Sequence, residues 1–303
     1  MSNVLILMST YNGEKYVAEQ IESIISQQEV EIQLLIRDDG STDSTVSILK
    51  KYECDYSNIK VLAENNLGCK QSFYKLCQWA LEYPNFDFYA FADQDDVWLQ
   101  DKISTAVVNL EHFQKETSNL YCSTYHLVDA NLNLLLSPKR KFKLTYGESV
   151  LIQVAPGCTM VFNRCLLELF CKADPSVMTL HDSWMYKVCL SVGGNVFFDT
   201  TPHILYRQHS QNVVGGNQSF FKRWHRRWIY FRSKQKIRST LIKNIYSIYS
   251  KNLTTEALEL SRELLKYETS LKSKIKILFS KKLTTYSLCT NLLFRIAILS
   301  NRF

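Results

Sequence analysis

The first half of the chain alternates short apolar runs with segments in which apolar residues recur every three or four positions. Isoleucines 21, 24 and 25, for example, share one face of a helix, whereas the apolar runs are short enough to be buried strands. Strands that alternate with helices are typical of an α/β fold with a mainly parallel sheet covered by helices. The predicted strands are residues 4–8, 32–37, 59–63 and 86–92.

The pattern becomes less regular from about residue 120. Apolar runs predict strands at residues 122–128, 159–163 and 204–207, with a turn at Pro156-Gly157, and a helix is expected to begin near Asp182. After Gly215-Gly216, a predicted hinge, the composition becomes basic, aromatic and helical. We therefore expect a domain over residues 1–215, divided near residue 119, and a C-terminal helical region over residues 216–303.

Polar clusters follow each of the first four predicted strands. They comprise residues 9–13, 38–43, 65–68 and 93–96. Because open α/β sheets bind ligands at the carboxyl ends of their strands, these clusters are expected to converge on one crevice.

Three carboxylates lie within four residues in the last cluster, at Asp93, Asp95 and Asp96. Carboxylates this close resist ionisation together unless a cation or good solvation offsets their repulsion. Oxygen ligands of this kind suit Mg²⁺ or Mn²⁺. The alternative is an acidic surface turn that caps the next helix; the position directly after a buried strand favours a metal site.

The cluster after the second strand offers two kinds of carboxylate. Asp43 is placed to N-cap the helix that begins near Ser44, whereas Asp38 and Asp39 are not needed for that cap. One of these two is thus available to accept a hydrogen bond from a pyrimidine or a ribose. The chain contains neither GxGxxG nor GxxxxGK[ST], which argues against a dinucleotide-binding site and a P-loop.

Charge divides the chain into two parts. Residues 1–219 carry 17 Lys or Arg against 25 Asp or Glu, and residues 220–303 carry 19 against 4. Interleaved aromatic and basic residues over 220–236, followed by 271–282, suit a helix at an anionic membrane surface. We favour this membrane surface together with a helical cap whose aromatics pack on the catalytic domain, and a single-stranded nucleic-acid surface ranks third. The tail is also a candidate oligomerisation region. No apolar stretch is long enough to cross a bilayer, so membrane contact should be peripheral.

The nine cysteines include no CxxC pair, and the N-terminus shows no signal-peptide pattern. These features predict a protein of the reducing cytoplasm. A zinc site over residues 158–189 is conceivable, but irregular spacing favours small core residues, and we assign the cysteines no chemistry.

Five ordered motifs resemble those of family 2 glycosyltransferases of the GT-A fold. They are LMSTYNG at residues 7–13, RDDGSTD at 37–43, FADQDDVW at 91–98, His181-Asp182, and YRQH at 206–209. The resemblance spans residues 3–214 and is nearest to bacterial rhamnosyltransferases of cell-wall or capsular polysaccharides. Two features depart from the family. His181 stands where many members carry Glu, and the Gln-x-x-Arg-Trp motif of polymerising synthases is missing, so the resemblance favours a non-processive enzyme.

The resemblance implies a role for each matching position. Residues 1–119 would bind the nucleotide-sugar and residues 120–215 the acceptor, with Asp182 as general base. Metal ligation would fall to Asp95 and His209, while Asp96, Trp98 and His181 would serve the acceptor or a second metal position. The nucleotide-sugar site would comprise Thr10, Tyr11, Asn12, Asp39, Asn66, Gly68, Lys70, Asp93, Gln94 and Arg207.

The reaction that the resemblance implies is inverting transfer of a sugar, with dTDP-L-rhamnose as the favoured donor and Mg²⁺ or Mn²⁺ as cofactor. The acceptor would be a lipid-linked or polysaccharide glycan at the inner face of the bacterial plasma membrane, and no nucleic-acid partner is expected. UDP-galactose, UDP-glucose or UDP-N-acetylhexosamine are alternative donors. A nucleotidyltransferase and a non-catalytic carbohydrate-binding protein are more distant alternatives.

Overall fold

The computed structural model describes residues 1–83, 85–208 and 236–303. The described residues form two compact units. The first contains residues 1–140, 155–189 and 194–208, and the second contains residues 141–154, 190–193 and 236–303. His209 and the basic aromatic segment 220–235 lie outside the described residues.

A seven-stranded sheet forms the centre of the first unit. Its order is β10-β6-β9-β4-β1-β2-β3, in which β1 pairs in parallel with both β2 and β4, and β9 runs antiparallel to β4 and β6. The strands are β1 (Asn3–Thr10), β2 (Glu31–Asp39), β3 (Ile59–Glu64), β4 (Phe88–Ala92), β6 (Asn119–Ser123), β9 (Val161–Asn163) and β10 (Asn195–Asp199).

Helices cover this sheet and explain its continuous apolar runs. Leu5, Ile6, Leu7 and Met8 of β1 are all buried, as expected for a parallel strand that is packed on both faces. The helices of the first unit are α1 (Val17–Ile25), α2 (Thr45–Asp55), α3 (Cys69–Glu82), α4 (Lys102–Glu111), α6 (Arg164–Cys171) and α7 (His181–Ser191), which ends in a segment of the second unit. The mixed α/β fold predicted from the sequence is confirmed.

A second, four-stranded sheet follows the acidic run directly. Its order is β5-β11-β7-β8, with β5 (Val97–Trp98), β7 (His126–Val128), β8 (Leu134–Leu136) and β11 (Ile204–Arg207). The predicted strand over residues 122–128 is therefore wrong as one element. Thr124 donates its backbone N–H to the Asp199 carbonyl, and the chain passes there from one sheet to the other.

Two further predictions need small corrections. The strand predicted at residues 159–163 is a 3₁₀ turn (Gly157–Thr159) followed by β9, because Met160 N–H bonds back to the Gly157 carbonyl. The sequence predicts Asp43 as the N-cap of α2, but the N-cap residue is Ser44. Asp43 is the residue before the N-cap. Its side chain accepts from Thr45 N–H at 3.0 Å and so satisfies one donor of the first turn.

The second unit is helical. It contains α5 (Tyr146–Leu151), α8 (Ile237–Tyr249), α9 (Thr255–Lys266), α10 (Leu271–Leu278) and α11 (Leu288–Leu299). Although the sequence places α5 in the acceptor half, all six of its residues are buried, and its side chains share a core with the C-terminal helices. No described helix has both the length and the apolar character needed to span a bilayer.

Candidate active site

The loops after β1 and β2 are tied together by their own polar side chains. Thr10 Oγ1 donates to Asp38 Oδ1 at 2.9 Å, and Asp38 Oδ2 accepts from Ser41 N–H at 2.8 Å. Asn12 accepts from Thr42 N–H through Oδ1 and donates its own N–H to Ser41 Oγ, both at 2.8 Å. Thr10 and Asn12 therefore hold the two loops in register.

Gln94 joins the β1 loop to the acidic run. Its Oε1 accepts from Tyr11 N–H at 2.8 Å and its Nε2 donates to the Tyr11 carbonyl at 3.0 Å. A Cβ at Gly13 would lie 2.3 Å from that Oε1, so only glycine leaves room for this pairing. Both ends of the Gln94 amide are thus engaged with backbone, and the side chain of Tyr11, which is 49% exposed, is left facing solvent.

Asp39 connects β2 to the start of α3. Its Oδ1 accepts from Leu67 N–H at 2.8 Å and from the Arg37 guanidinium, and its Oδ2 accepts from Gly68 N–H at 2.8 Å. Beside it lies a cavity of about 590 Å³ at the carboxyl ends of β2 and β3. The cavity is lined by Arg37, Asp38, Gly40, Ser41, Val46, Ala63, Glu64, Asn65 and Leu67.

The acidic run meets Cys158 at the end of β4. One ligand atom each from Asp93, Asp96 and Cys158 lie within 4.8 Å of one another. Burial, and after it the negative charges of Asp95 and Asp182, raise the pKa of Asp93 to about 7. Asp182, far away in sequence, therefore acts on the same small region as the acidic run.

Cys69, the first residue of α3, shows that the carboxylates converge. Its side chain is reached by solvent, yet the surrounding protein, followed by the charges of Asp93, Asp182 and Asp39, raises the pKa of its thiol to about 12. Carboxylates from three separate loops are close enough to affect one thiol. The charges of Asp39, Asp93 and Asp182 thus act on one thiol at the start of α3, as a shared crevice at the strand ends requires.

Asp182 lies in the first turn of α7 and is only 7% exposed. Its Oδ1 accepts from Ser183 N–H at 2.6 Å. The preceding His181 stacks on Phe73 with ring centroids 3.9 Å apart, and burial lowers its pKa. Neither His181 nitrogen has a hydrogen-bond partner among the described residues. A Cβ at Gly157 would lie 2.6 Å from His181 Nε2 and 3.4 Å from Asp182 Cβ, so this glycine permits the approach.

Trp98 and Arg207 do not lie where the sequence predicts. Trp98 is 2% exposed and belongs to the main core, so it is not available to an acceptor. Arg207 is also buried. Its Nε donates to the Asp95 carbonyl at 2.9 Å, its Nη1 to the Ala130 carbonyl at 2.6 Å and its Nη2 to Glu19. Arg207 therefore holds the backbone of the acidic run in position.

The remaining predicted residues lie around the same loops. Asn66 is exposed. Its backbone nitrogen lies close to Gly40, because a Cβ added at Gly40 would be only 2.8 Å from that nitrogen. Gly68 has a φ of +84°, which suits glycine, and precedes α3. Lys70 donates to the Met178 carbonyl at 3.1 Å. His209 lies outside the described residues.

Two buried residues near the acidic run carry no signal in the sequence. Cys158 is assigned no chemistry there, yet its thiol lies between Asp93 and Asp96; burial, and then their charges, raise the pKa of that thiol well above its usual value. Lys102 is fully buried with Nζ 3.5 Å from the centre of the Trp98 ring, and burial lowers its pKa to about 7. Cys158 reaches the site only through tertiary packing, and nothing in the sequence indicates that Lys102, six residues after Asp96, is buried.

The buried position of Arg207 leads to a stability prediction. Arg207→Met should lower the free energy of unfolding by about 2 kcal/mol, because it removes the guanidinium that donates to the part-buried Asp95 and Ala130 carbonyls. Urea denaturation measures this. Lys50→Met, which breaks an exposed ion pair with Glu53 on α2, is the control and should cost less than about 1 kcal/mol. A stable Arg207→Met protein with weakened nucleotide binding would instead indicate contact with phosphates.

The described residues form an α/β fold with a cluster of carboxylates at the carboxyl ends of its strands, where open α/β sheets bind ligands. The family model described as glycosyl transferase family 2 matches residues 5–170. The chain therefore belongs to glycosyl transferase family 2, as the sequence motifs predict.

Similar proteins agree with this membership. The dTDP-rhamnosyl transferase RfbG of Shigella flexneri is 33% identical over 230 residues, covering 72% of this chain and 77% of that one. A UDP-Glc:α-D-GlcNAc-diphosphoundecaprenol β-1,3-glucosyltransferase, WfgD of Escherichia coli, is 29% identical over 55% of this chain and 62% of that one. Among solved structures, Staphylococcus aureus TarS 1–349 in complex with UDP-GlcNAc has a TM-score of 0.56 and 16% identity, covering 100% of this chain and 92% of that one. The fold is thus the GT-A fold.

Proposed function

We propose that this protein is an inverting glycosyltransferase that transfers L-rhamnose from dTDP-L-rhamnose to a hydroxyl of a lipid-linked or cell-wall glycan. The donor assignment depends on one observation, the 33% identity to a dTDP-rhamnosyl transferase across 72% of the chain. The chemistry depends on the convergence of Asp39, Asp93 and Asp182 on one crevice.

Asp39 is suited to read the base of the nucleotide. A carboxylate offers about four lone-pair sites, and Arg37, Leu67 and Gly68 occupy three of them. The remaining site on Oδ2 could accept from the imide N–H that thymine and uracil share. Asp39 therefore supports a pyrimidine nucleotide without distinguishing the two bases.

Asp182 is suited to act as the base. The N-terminus of α7 favours a negative charge, and the buried carboxylate lies near the acidic run. It would remove the proton from the acceptor hydroxyl while that oxygen attacks the anomeric carbon opposite the leaving diphosphate. Attack from that side inverts the anomeric configuration.

The acidic run is suited to hold Mg²⁺ or Mn²⁺. Asp96 Oδ2 is buried with no hydrogen-bond partner among the described residues, and Asp93 stands beside it, so oxygen ligands are available. Burial raises the pKa of the Cys158 thiol and so disfavours its thiolate, and we assign ligation to the carboxylates Asp93, Asp95 and Asp96. When bound, the cation supplies positive charge that offsets the charge developing on the leaving diphosphate.

The raised pKa of Asp93 predicts how binding depends on pH. Its folded-state pKa of about 7 lies above its usual 3.8, so the metal-free protein loses stability as pH rises through that window. Because a cation needs the ionised carboxylate, Mn²⁺ affinity should fall about tenfold between pH 8 and pH 6. Calorimetric titration measures this, with Asp93→Asn as the control that should make the profile shallower, because Asp96, whose pKa burial also raises, still has to ionise. Equal affinity at both pH values in the wild-type protein would contradict the assignment.

The proposed function is tested with a panel of sugar nucleotides. Purified protein is incubated with dTDP-L-rhamnose, UDP-glucose, UDP-galactose or UDP-N-acetylglucosamine and a short-chain lipid-linked acceptor, with Mn²⁺ or with chelator. We expect nucleoside diphosphate release and a glycosylated product with dTDP-L-rhamnose and Mn²⁺ only. Product with a UDP-hexose, the alternative that the similarity to WfgD favours, would replace the donor assignment. Full turnover in the presence of chelator would contradict the assignment of a metal cofactor.

A further inference from the structure

The last two helices of the second unit, α10 and α11, each leave an apolar stripe at the surface. On α10 the exposed side chains recur every four residues, and on α11 they recur every three or four, so each set shares one helical face. Their exposed fractions range from 40% to 86%. The stripe residues are Leu271, Ile275 and Phe279 at α10, and Leu288, Leu292, Ile296 and Leu299 at α11.

These stripes are not the result of loose packing. The opposite faces of both helices are buried, with Ile277 of α10 and Phe294 and Ile298 of α11 in the core of the unit. Arg295 Nη1 donates to the Leu278 carbonyl at 2.6 Å and Lys274 Nζ donates to the Leu299 carbonyl at 3.2 Å, which joins the two helices. The rotation of each helix is therefore fixed, and it directs leucines to the surface.

The segment that carries these stripes has charges of one sign. Residues 271–303 contain seven Lys or Arg and no Asp or Glu. Lys276 and Lys282 pair with Glu263 and Glu256, whereas Lys272 and Lys281 are exposed and form no ion pair with any described residue. A second copy of the same face would bring like charges together, so self-association does not suit this surface. An anionic partner with an apolar interior does.

We propose that α10 and α11 dock this enzyme on an anionic lipid bilayer, with the leucine stripes among the acyl chains and the lysines at the headgroups. Apolar side chains flanked by lysines are what such an interface binds. The inference deepens the proposed function, because a lipid-linked acceptor would be presented at that same bilayer. The proposed docking surface contains only described residues. It extends the membrane contact predicted from the sequence, which ends at residue 282, to Leu299.

The test compares vesicle binding by the full-length protein and by two double variants. Sedimentation uses vesicles of phosphatidylcholine alone or with about 30 mol% phosphatidylglycerol, without donor or acceptor. Leu288→Ser/Leu292→Ser removes part of the stripe, and Lys272→Gln/Lys281→Gln removes exposed charge. Val108→Ser on α4, which removes an apolar side chain that is 56% exposed in the first unit, is the matched control.

We expect binding to the anionic vesicles that is at least about tenfold stronger than to the neutral ones and weakens with salt. Each double variant should lose about tenfold or more of this binding, and Val108→Ser should lose none. No preference for anionic lipid, full binding by the leucine variant, or a stable dimer that buries the stripes would each overturn the proposal.

Transfer to a short-chain acceptor without vesicles distinguishes this proposal from the proposed function. The leucine and lysine variants should retain wild-type transfer in that assay, because their positions lie in the second unit and outside the residues assigned to chemistry. If vesicle binding is lost while this activity persists, docking and catalysis are separate properties. If wild-type protein binds vesicles but transfers no sugar, the proposed function fails and the docking inference stands.

Discussion

Asp182→Asn is expected to reduce sugar transfer by about a thousandfold while the protein remains folded. General-base catalysis contributes roughly a hundred- to ten-thousandfold to enzymatic rates, and Asn keeps the shape of Asp without accepting a proton. Since Asp182 lies in the first turn of α7, loss of its helix-stabilising charge should cost about 1 kcal/mol or less. A large loss of rate with a small loss of stability is the signature of a base.

The measurement is the turnover number with the donor and metal that the panel identifies, together with the melting temperature. Donor affinity should stay within about threefold of wild type, because the proposed base contacts the acceptor hydroxyl. Asp174→Asn is the matched control, since Asp174 accepts from Ser176 N–H at 2.8 Å in an exposed turn before the same helix. Turnover by Asp182→Asn within tenfold of wild type would leave Asp182 as a helix-terminal residue and direct the search for a base elsewhere in the crevice.

Asp95→Asn is expected to produce the second large effect, a loss of transfer of about a hundredfold or more together with loss of the stimulation by Mn²⁺. The acidic run concentrates three carboxylates at the end of β4, and burial already raises the pKa of Asp93 beside Asp95. Replacing one carboxylate with an amide removes a charged ligand but relieves repulsion. The metal-free variant should therefore be as stable as the wild type, or more stable.

Donor affinity with and without Mn²⁺ separates this role from a structural one. In the wild type we expect Mn²⁺ to strengthen donor binding, and in Asp95→Asn we expect the two affinities to converge. Asp87→Asn is a suitable control because Asp87 precedes β4, at the opposite end of the same strand, and accepts from Asn3 N–H at 3.0 Å. Mn²⁺-dependent donor binding that survives in Asp95→Asn would move metal ligation to Asp93 and Asp96.

The packing beneath the acidic run supplies hydrogen-bond donors and a buried amine to its closely spaced carboxyl groups. Arg207 donates to the Asp95 carbonyl, and its backbone N–H donates to Asp96 Oδ1 at 3.2 Å. Lys102 brings a buried amine toward Asp96. Burial lowers the pKa of this amine, and the negative charge of Asp96 opposes that effect in part. These residues bind no substrate in our proposal. They position the run, so Arg207, which the sequence motifs place in the nucleotide-sugar site, has a positioning role in our proposal.

The sequence by itself determined the order of strands and helices in the first half and the loops that carry the chemistry. Residues 204–207 coincide with β11, and the predicted β1, β2 and β3 differ from the observed strands by no more than two residues at either end. This success has a local cause, because apolar runs and one-faced helices are visible over a few residues. The carboxyl ends of parallel strands then place Asp39 and Asp93 at one edge without further information.

Only the tertiary structure decided which side chains lie beside the acidic run and which are buried below it. Cys158, Lys102 and Arg207 come from three distant segments, and Trp98 lies in the core although it follows the run by two residues. Residues 141–154 likewise belong to the second unit with the C-terminal helices, and not to the first unit. Contacts between distant segments depend on how sheets and helices pack against one another, and neither periodicity nor motif spacing contains that information.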